Sequence, residues 1–433
     1  MPDRRHNSPL AVAASSLPEP PCNGMRIVYL HQYFNTPDMA GGTRSYEMAR
    51  RLVRAGHEVH MVTSSRASHG RRWRRTREAG IQVHWCPVPY TNAMGFGRRM
   101  AAFMQFAWRS ARKAAGLPAD VIFATSTPLT IALPAVYAAR RQSAPMVFEV
   151  RDLWPEMPIA IGALKSRPAV AAARRLERFA YENADQIVAL SPGMKAGVVA
   201  AGYPESRVTV IPNSCDRALF RGAEASGAAF RRARPWLQDR PLVVYAGTLG
   251  LINGVDYLAR LARVVHRRDP EVRFLVVGDG GQHETVRRAA AELGVLEKNF
   301  FMMAPVPKSE MPAILAAADI ATSVVVDIEA TWSNSANKVF DALAAGRPIA
   351  INHGGWLADM IHETGCGLVL EAHDLDAAAD RLVAALRDPG WLDRAQVAAS
   401  RVAETRFDRD KLACQLETVL RRSVSPMRDR MAA

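Results

Sequence analysis

The sequence is poor in cysteine and has no long hydrophobic segment. Its five cysteines are scattered without a paired spacing, which argues against a disulfide framework or a zinc site and is typical of a protein in a reducing cytosol. The longest apolar run, residues 129–139, contains a proline and is too short to span a bilayer. Carboxylates with the spacing of metal ligands are also missing, so we expect no metal and no other cofactor.

Acidic residues are scarce in the first half of the chain. Residues 1–240 contain 34 of the 56 Lys and Arg residues but only 17 of the 42 Asp and Glu residues, so the net charge of +14 comes from this half. Nucleic acid and an anionic membrane are the partners that such a charge favours. Because no nucleic-acid recognition motif is present, we attribute the charge to lipid. Residues 1–24 are rich in Pro, Ser and Ala, and we expect a disordered extension there.

The remainder alternates short β-branched strands with helical segments, which predicts doubly wound parallel sheets. A chain of 433 residues is expected to form about two domains, and the strand–helix pattern restarts at residue 240. We predict an α/β protein with an N-terminal domain at 25–233, a C-terminal domain at 234–407 and a terminal helix and tail at 408–433. Ligands of such sheets bind beyond the carboxyl ends of the strands, so the cleft between the domains is the expected site.

Two features bear on ligands of this cleft. His31, Ser126, Thr127 and Ser191 follow predicted strands, where they either line the cleft or serve as loop and cap residues. The motif GDGG at residues 278–281 also follows a strand, but it lacks the six-residue glycine pattern of dinucleotide enzymes. About 20 residues later the chain has Lys298 and Asn299 rather than a ribose-binding acid, which argues against a nicotinamide cofactor.

The segment SNSANKVFDALAAG, residues 333–346, predicts a polar loop followed by a helix that begins near Asn337. Lys338 would lie in the first turn, where a cation opposes the helix dipole unless an anion lies between them. Asp341, three residues later, shares its helix face. A cation for phosphate and an acceptor for sugar hydroxyls together suit a nucleotide-sugar. The alternative is a solvated Lys–Asp pair on an ordinary helix.

A second helix, predicted over residues 96–115, combines apolar and basic side chains. At 100° per residue a stripe forms from Phe96, Met100, Phe103, Met104, Ala107 and Trp108. The opposite side carries Arg98, Arg99, Arg109, Arg112 and Lys113, with Phe106 as the exception. Aromatic residues opposite arginines suit a helix in a membrane interface. The alternative is a helix that packs on the core and exposes a basic face to water.

Several motifs occur in an order that resembles glycosyltransferase family 4, whose members are retaining enzymes of the GT-B fold. They are AGGTRSYEMARRLVRAGHEVHMVTS, IVALSPGM, VTVIPNSCD, VVYAGTLG, VVGDG, MPAILAAADI and NKVFDALAAGRPIA. EVRDLWPE and INHGGWLADMI resemble the bacterial O-antigen and capsule branch that includes N-acetyl-L-fucosamine transferases. The resemblance covers residues 25–407. It implies two Rossmann-like domains facing a central cleft, a nucleotide-sugar bound by the second domain and an acceptor bound by the first.

The resemblance also assigns roles to residues of the donor site. The basic residue at Lys338 would contact the donor diphosphate, and the carboxylate at Asp341 would bind the ribose. Ser333 stands where the family has a first glutamate, and Thr248 and Asn253 stand where many relatives have Arg and Lys.

Charge for the leaving group is then expected from Arg44 and Arg151. Arg151 and Asp152 replace a frequent His-Asp pair, so they are predicted, with Lys338, to be catalytic. Arg151 would stabilise the pyrophosphate or orient the acceptor; the alternative is that Arg151 and Asp152 form a structural ion pair. Gly41 and Gly42 would let the backbone approach the diphosphate, and the helix start at Asn337 would complete the site.

These observations together predict a retaining glycosyltransferase. It would move a sugar, expected to be an N-acetylated amino sugar, from a UDP-sugar to a saccharide on undecaprenyl diphosphate. We expect it on the cytoplasmic face of the membrane, as a peripheral protein. The alternative is an isomerase like UDP-N-acetylglucosamine 2-epimerase, which shares the fold but would need several acid–base residues around the sugar.

Overall fold

The computed structural model describes residues 24–39, 41–66, 72–91 and 94–432, with the backbone alone for Phe96 and residues 425–432. The extension expected at residues 1–24 therefore lies outside the described residues, except for Gly24.

The strands fall into two groups along the chain. The first group is β1 (Arg26–Leu30), β2 (Glu58–Ser65), β3 (Arg74–Glu78), β4 (Ile81–Pro87), β5 (Val121–Thr125), β6 (Met146–Val150), β7 (Gln186–Ala189) and β8 (Val208–Val210). The second is β9 (Leu242–Ala246), β10 (Arg273–Val277), β11 (Phe300–Met303), β12 (Ile320–Ser323), β13 (Ile349–Ile351) and β14 (Gly367–Val369).

Helices connect most of these strands. In the first half they are α1 (Arg44–Arg54), α2 (Phe96–Ala115), α3 (Ala132–Gln142), α4 (Glu156–Ala160), α5 (Arg167–Glu182), α6 (Pro192–Ala200), α7 (Arg217–Phe220) and α8 (Glu224–Arg232). They continue with α9 (Asp256–Arg268), α10 (His283–Glu292), α11 (Met311–Ala317), α12 (Asn337–Ala344), α13 (Trp356–Thr364), α14 (Leu375–Arg387), α15 (Pro389–Thr405) and α16 (Arg409–Ala432). No helix within the described ranges has the length and apolar character needed to cross a bilayer.

Each group of strands forms one doubly wound sheet. The first has the order β3-β4-β2-β1-β5-β6-β7-β8 and the second the order β11-β10-β9-β12-β13-β14. All strand pairs are parallel except β3 with β4, which are antiparallel. In both sheets the winding reverses beside the first strand, between β1 and β5 and between β9 and β12. The predicted architecture of two Rossmann-like α/β units is therefore confirmed.

The predicted boundary between the halves differs from the observed packing. Cys215 and Phe220 belong to the hydrophobic core of the second half, and α8 packs against α11 through the close approach of Gly227 to Ala316. The second packing unit therefore begins near Cys215 rather than at residue 234. Near the C-terminus, the apolar side of α16 is buried with residues of α1 and β1, so the chain returns to the first half.

Two strands lack the apolar, β-branched pattern by which the sequence predicts strands. β3 has the sequence RRTRE and lies at the edge of its sheet, largely exposed. Its charged residues do not show the apolar alternation by which half-buried strands are recognised. β14 is three residues long and half-buried, too short for a periodic pattern. Both strands are defined by their pairing with a neighbouring strand, and the local sequence does not reveal that pairing.

Candidate active site

The loop that precedes α12 lies against the first half of the molecule. The Ser191 hydroxyl donates a hydrogen bond to the Ser333 carbonyl at 2.5 Å, and the Asn213 backbone N–H donates to Ser335 Oγ at 3.1 Å. The Asn213 side chain also donates to the Ser335 carbonyl. These contacts bring the carboxyl ends of the two sheets together, where doubly wound folds bind ligands.

Gly41 and Gly42 lie on the first-half side of this contact. Gly41 has φ of +121°, a value that favours glycine. A Cβ at Gly42 would lie 2.8 Å from the Asn337 side-chain nitrogen, so a larger residue would push against the start of α12. Both glycines are exposed. Their position beside the helix start matches the predicted role of letting backbone approach a ligand, and that role stays a prediction.

Lys338 lies in the first turn of α12, as predicted. Its Nζ is 3.1 Å from the Tyr245 hydroxyl and 4.5 Å from the centre of the Tyr245 ring. It forms no ion pair with any described carboxylate, and burial lowers its pKa to about 8. A Cβ at Gly247 would lie 2.8 Å from Lys338 Cε, so this glycine leaves room for the lysine. A half-buried cation beside a helix N-terminus, without an acidic partner among the described residues, is the electrostatic complement of a phosphate.

Asp341 lies one turn after Lys338, but the two side chains do not pair with each other. The Asp341 carboxylate forms an ion pair with Lys308, and both side chains are less than one-fifth exposed. The solvated Lys338–Asp341 pair, considered as the alternative, is therefore not formed. Lys338 and Asp341 together line a small cavity with Ala246 and Thr322. In the expected contact with ribose, the Asp341 carboxylate would bind a ribose hydroxyl and Lys308 at the same time.

The prediction that Arg44 binds the diphosphate is wrong. Arg44 is only 1% exposed, and its guanidinium contacts Glu149 Oε1 at 2.9 and 3.1 Å. It also donates to the carbonyls of Ile211 at 2.9 Å and Pro212 at 2.5 Å. Burial would raise the pKa of Glu149, but the charges of Arg44 and Arg151 hold it below its ordinary value. Arg44 therefore fixes α1 to β6 and to the segment after β8, and does not reach the cleft.

Arg151 and Asp152 follow β6 and use different partners. Arg151 Nη1 lies 3.2 Å from His31 Nε2, whereas Asp152 accepts a hydrogen bond from the Thr127 hydroxyl at 3.2 Å. These two described side chains form no ion pair with each other, which removes the structural-pair alternative. Burial raises the pKa of Asp152, an effect that the charge of Arg151 opposes. Their catalytic roles stay predictions.

Thr248, Asn253 and Ser333, the three residues that depart from the family pattern, form contacts within their own loops. Asn253 Oδ1 accepts from the Gly250 N–H at 3.2 Å. Thr248 is exposed, and its carbonyl accepts from the Tyr245 hydroxyl at 2.8 Å. The Ser333 hydroxyl makes a long contact of 3.4 Å with the Ala330 carbonyl. None of the three supplies charge, whereas Lys338 places a cation in the first turn of α12.

The apolar stripe predicted on α2 does not coincide with one face of the helix in the structure, because some of its residues are exposed and others are buried. Met100, Met104 and Trp108 are 38%, 47% and 65% exposed, but Phe106 is buried at 1% and Ala107 at 4%. Phe103 is half-buried and stacks on Tyr90 at 5.8 Å between ring centres. The side chain of Phe96 lies outside the described residues.

The basic residues of α2 are divided between its two faces. Arg98 and Arg112 are exposed, and the Arg112 guanidinium lies 4.6 Å from the ring centre of the exposed Trp108. Arg99 is half-buried. Apolar and basic side chains therefore share the solvent face of α2, while Phe106 anchors the opposite face in the core.

Two domain models match the chain in succession. A glycosyl transferase 4-like domain matches residues 40–214, and a domain described as glycosyl transferases group 1 matches residues 240–388. Together they cover most of both halves and include the loops that form the candidate site.

Relatives and solved structures agree with these domains. The Escherichia coli K12 protein WcaI, named as a colanic acid biosynthesis glycosyl transferase, is 24% identical over 93% of this chain and 99% of its own length. A GDP-mannose-dependent alpha-(1-6)-phosphatidylinositol monomannoside mannosyltransferase of Mycolicibacterium smegmatis is 27% identical over 54% of this chain, which spans only 58% of that relative. Anabaena HepE, solved with UDP and glucose, superposes with a TM-score of 0.69 at 18% identity, over 92% of this chain and 99% of its own.

Proposed function

Because the chain is a glycosyltransferase with the GT-B fold, we propose that it transfers a sugar, with retention, from a UDP-sugar to a saccharide carried on a lipid diphosphate. Surface polysaccharide biosynthesis is the proposed setting, supported by the name of WcaI. An N-acetylated amino sugar remains the proposed group transferred. The epimerase alternative is not favoured, since the relatives reported above are named as transferases.

The observation that carries this proposal is the unpaired cation at Lys338. In the proposed reaction, the bond between the anomeric carbon and a phosphate oxygen breaks, and the acceptor hydroxyl oxygen bonds to the same carbon on the same face. The hydroxyl proton passes to the departing phosphate. The enzyme must then stabilise negative charge on the nucleoside diphosphate with donors that are already in place. Lys338 and the N-terminus of α12 provide such donors.

The identity of the nucleotide can be tested by calorimetric titration with UDP, UMP and GDP. We expect UDP to bind at least about tenfold more tightly than UMP, because the second phosphate adds a charge-assisted contact with Lys338. GDP is included because the mycobacterial relative is named for GDP-mannose. Acceptor-dependent release of UDP from UDP-sugars would then identify the transferase reaction. Equal binding of UDP and UMP would contradict the assignment of the diphosphate to Lys338.

A peripheral membrane position is proposed from the solvent face of α2. Met100, Met104 and Trp108 recur at four-residue intervals and are exposed, and Arg112 packs on Trp108. Apolar side chains beside arginines favour insertion at an anionic interface, since the former enter the acyl boundary while the latter contact lipid phosphates. The excess of basic residues in the first half supports the same orientation.

We expect the double substitution Met104→Gln and Trp108→Gln to reduce binding to vesicles that contain anionic phospholipid by at least about tenfold, because burying two such side chains contributes several kcal/mol. Co-sedimentation with vesicles measures the effect. Val397→Gln, which replaces an apolar side chain 69% exposed on α15, is the matched control and should bind as the unmodified protein does. Unchanged binding of the double variant would contradict a membrane role for α2.

A further inference from the structure

The carboxyl end of β1 carries hydrogen-bond donors that lack acceptors. Arg151 Nη1, 3.2 Å from His31 Nε2, can only donate, so Nε2 is the acceptor and the proton of the neutral ring lies on Nδ1. Nδ1 is buried and has no partner among the described residues. Such an unsatisfied buried donor is costly unless a ligand or water completes it. The next residue, Gln32, is fully buried, and both atoms of its side-chain amide also lack partners.

Two arginines, Arg151 and Arg66, affect the charge state of His31. Burial and the positive charges of Arg151 and Arg66 lower the pKa of His31 well below its ordinary value, so the ring is neutral. Arg66 directly follows β2, the strand beside β1, and its guanidinium donates to Asn35 Oδ1, a neutral acceptor. Neither arginine forms an ion pair with a carboxylate of the described residues. Burial lowers the pKa of Arg66, as expected for a cation held away from water without a counter-charge.

The same position is linked by aromatic contacts to α2. The Tyr33 ring lies 5.0 Å from the Tyr90 ring, and Tyr90 stacks on Phe103 of α2 at 5.8 Å between ring centres. Phe103 is thus half-buried just behind the exposed methionines of that helix. A ligand between the two arginines would therefore lie near the α2 face of the first half.

We propose that Arg66, Arg151 and the His31 Nδ1–H bind a phosphoryl group of the acceptor rather than the donor diphosphate. These three groups are all donors, and His31 follows β1 at the point where the winding of the first sheet reverses between β1 and β5. Guanidinium groups suit phosphate because their paired N–H groups match two of its oxygens. This inference rests on the proposed function and assigns the chemistry by which the first half recognises its acceptor.

Titration with inorganic pyrophosphate, in the presence of just enough UDP to fill the donor site, tests the proposal. We expect pyrophosphate to bind the unmodified protein, and Arg66→Gln to weaken this binding by at least about tenfold while UDP affinity stays the same. Arg66→Lys, which keeps the charge, should recover part of the loss. Arg54→Gln, at an exposed arginine of α1, is the matched control, and thermal unfolding verifies that each variant folds.

Other outcomes separate this proposal from the proposed function. Displacement of pyrophosphate by UDP at stoichiometric concentration would show that the arginines serve the donor, and would overturn the inference. Equal pyrophosphate binding by Arg66→Gln and by the unmodified protein would also overturn it. Failure of UDP to bind, with pyrophosphate binding still dependent on Arg66, would instead contradict the donor assignment at Lys338. Displacement of pyrophosphate by a short prenyl diphosphate but not by UMP would assign the phosphoryl group to a lipid carrier.

Discussion

Replacing Lys338 by alanine is expected to weaken UDP binding by roughly one hundredfold. Lys338 is a half-buried cation whose Nζ lies 3.1 Å from the neutral Tyr245 hydroxyl, and hydrogen bonds to charged groups contribute about 1.5–3 kcal/mol each. One such bond to a phosphate oxygen, at the upper end of this range, gives a loss of that order. Isothermal titration of both proteins with UDP measures it. Lys298→Ala, which removes an exposed lysine from the same half, is the control and should leave the affinity unchanged.

The pH dependence of UDP binding provides an independent test of the same residue. Burial lowers the pKa of Lys338 to about 8, so the free protein carries the positive charge below pH 8 and loses it above. UDP affinity should therefore be nearly constant from pH 6.5 to 7.5 and fall by up to about tenfold per pH unit above pH 8. Lys338→Arg stays charged over this range, so its affinity should not fall there. A similar decline in the arginine variant would assign the titration to another group.

Local sequence patterns were sufficient to predict the fold and the position of Lys338. The alternation of strands and helices, and the restart at residue 240, predicted the two doubly wound sheets because those patterns record which faces are buried. The position of Lys338 in the first turn of a helix follows from the strand, loop and helix signals around it. Its lack of an acidic partner among the described residues could not be read from the sequence, since ion pairs depend on residues far along the chain.

Arg44 and Asp341 show why contacts between distant segments escaped prediction. Arg44 follows two glycines and was placed at the diphosphate on that basis, but its partner Glu149 lies 105 residues later. Asp341 is paired with Lys308, 33 residues earlier, and nothing in the local sequence marks that lysine. Arg66 was missed although a signal existed. It directly follows β2, and β2 lies beside the strand that His31 follows.

The orientation of α2 escaped prediction for a different reason. The helical period was predicted correctly, but the helix has apolar residues on both faces, and the sequence alone does not show which face meets the sheet. Phe106, treated as the exception, is the residue at the centre of the buried face. The membrane proposal therefore now depends on the exposure of Met100, Met104 and Trp108 rather than on the stripe that first suggested it.

Replacing Arg44 by alanine is expected to destabilise the fold by about 3–5 kcal/mol, because it leaves the buried Glu149 without its main counter-charge. The side chains of Arg44 and Glu149 are 1% and 0% exposed, so water cannot solvate the carboxylate that the substitution leaves unpaired. Urea unfolding measures the free-energy change.

The double variant Arg44→Met and Glu149→Gln, which removes both charges, should recover much of the lost stability, and a double-mutant cycle gives the coupling. Because Arg44 lies away from the cleft, the folded double variant should bind UDP as the unmodified protein does. Loss of UDP binding in a variant that remains folded would return Arg44 to the donor site and contradict its structural role. Unchanged affinity would leave Lys338 as the principal cation for the leaving group, which is the arrangement that the contacts of both residues support.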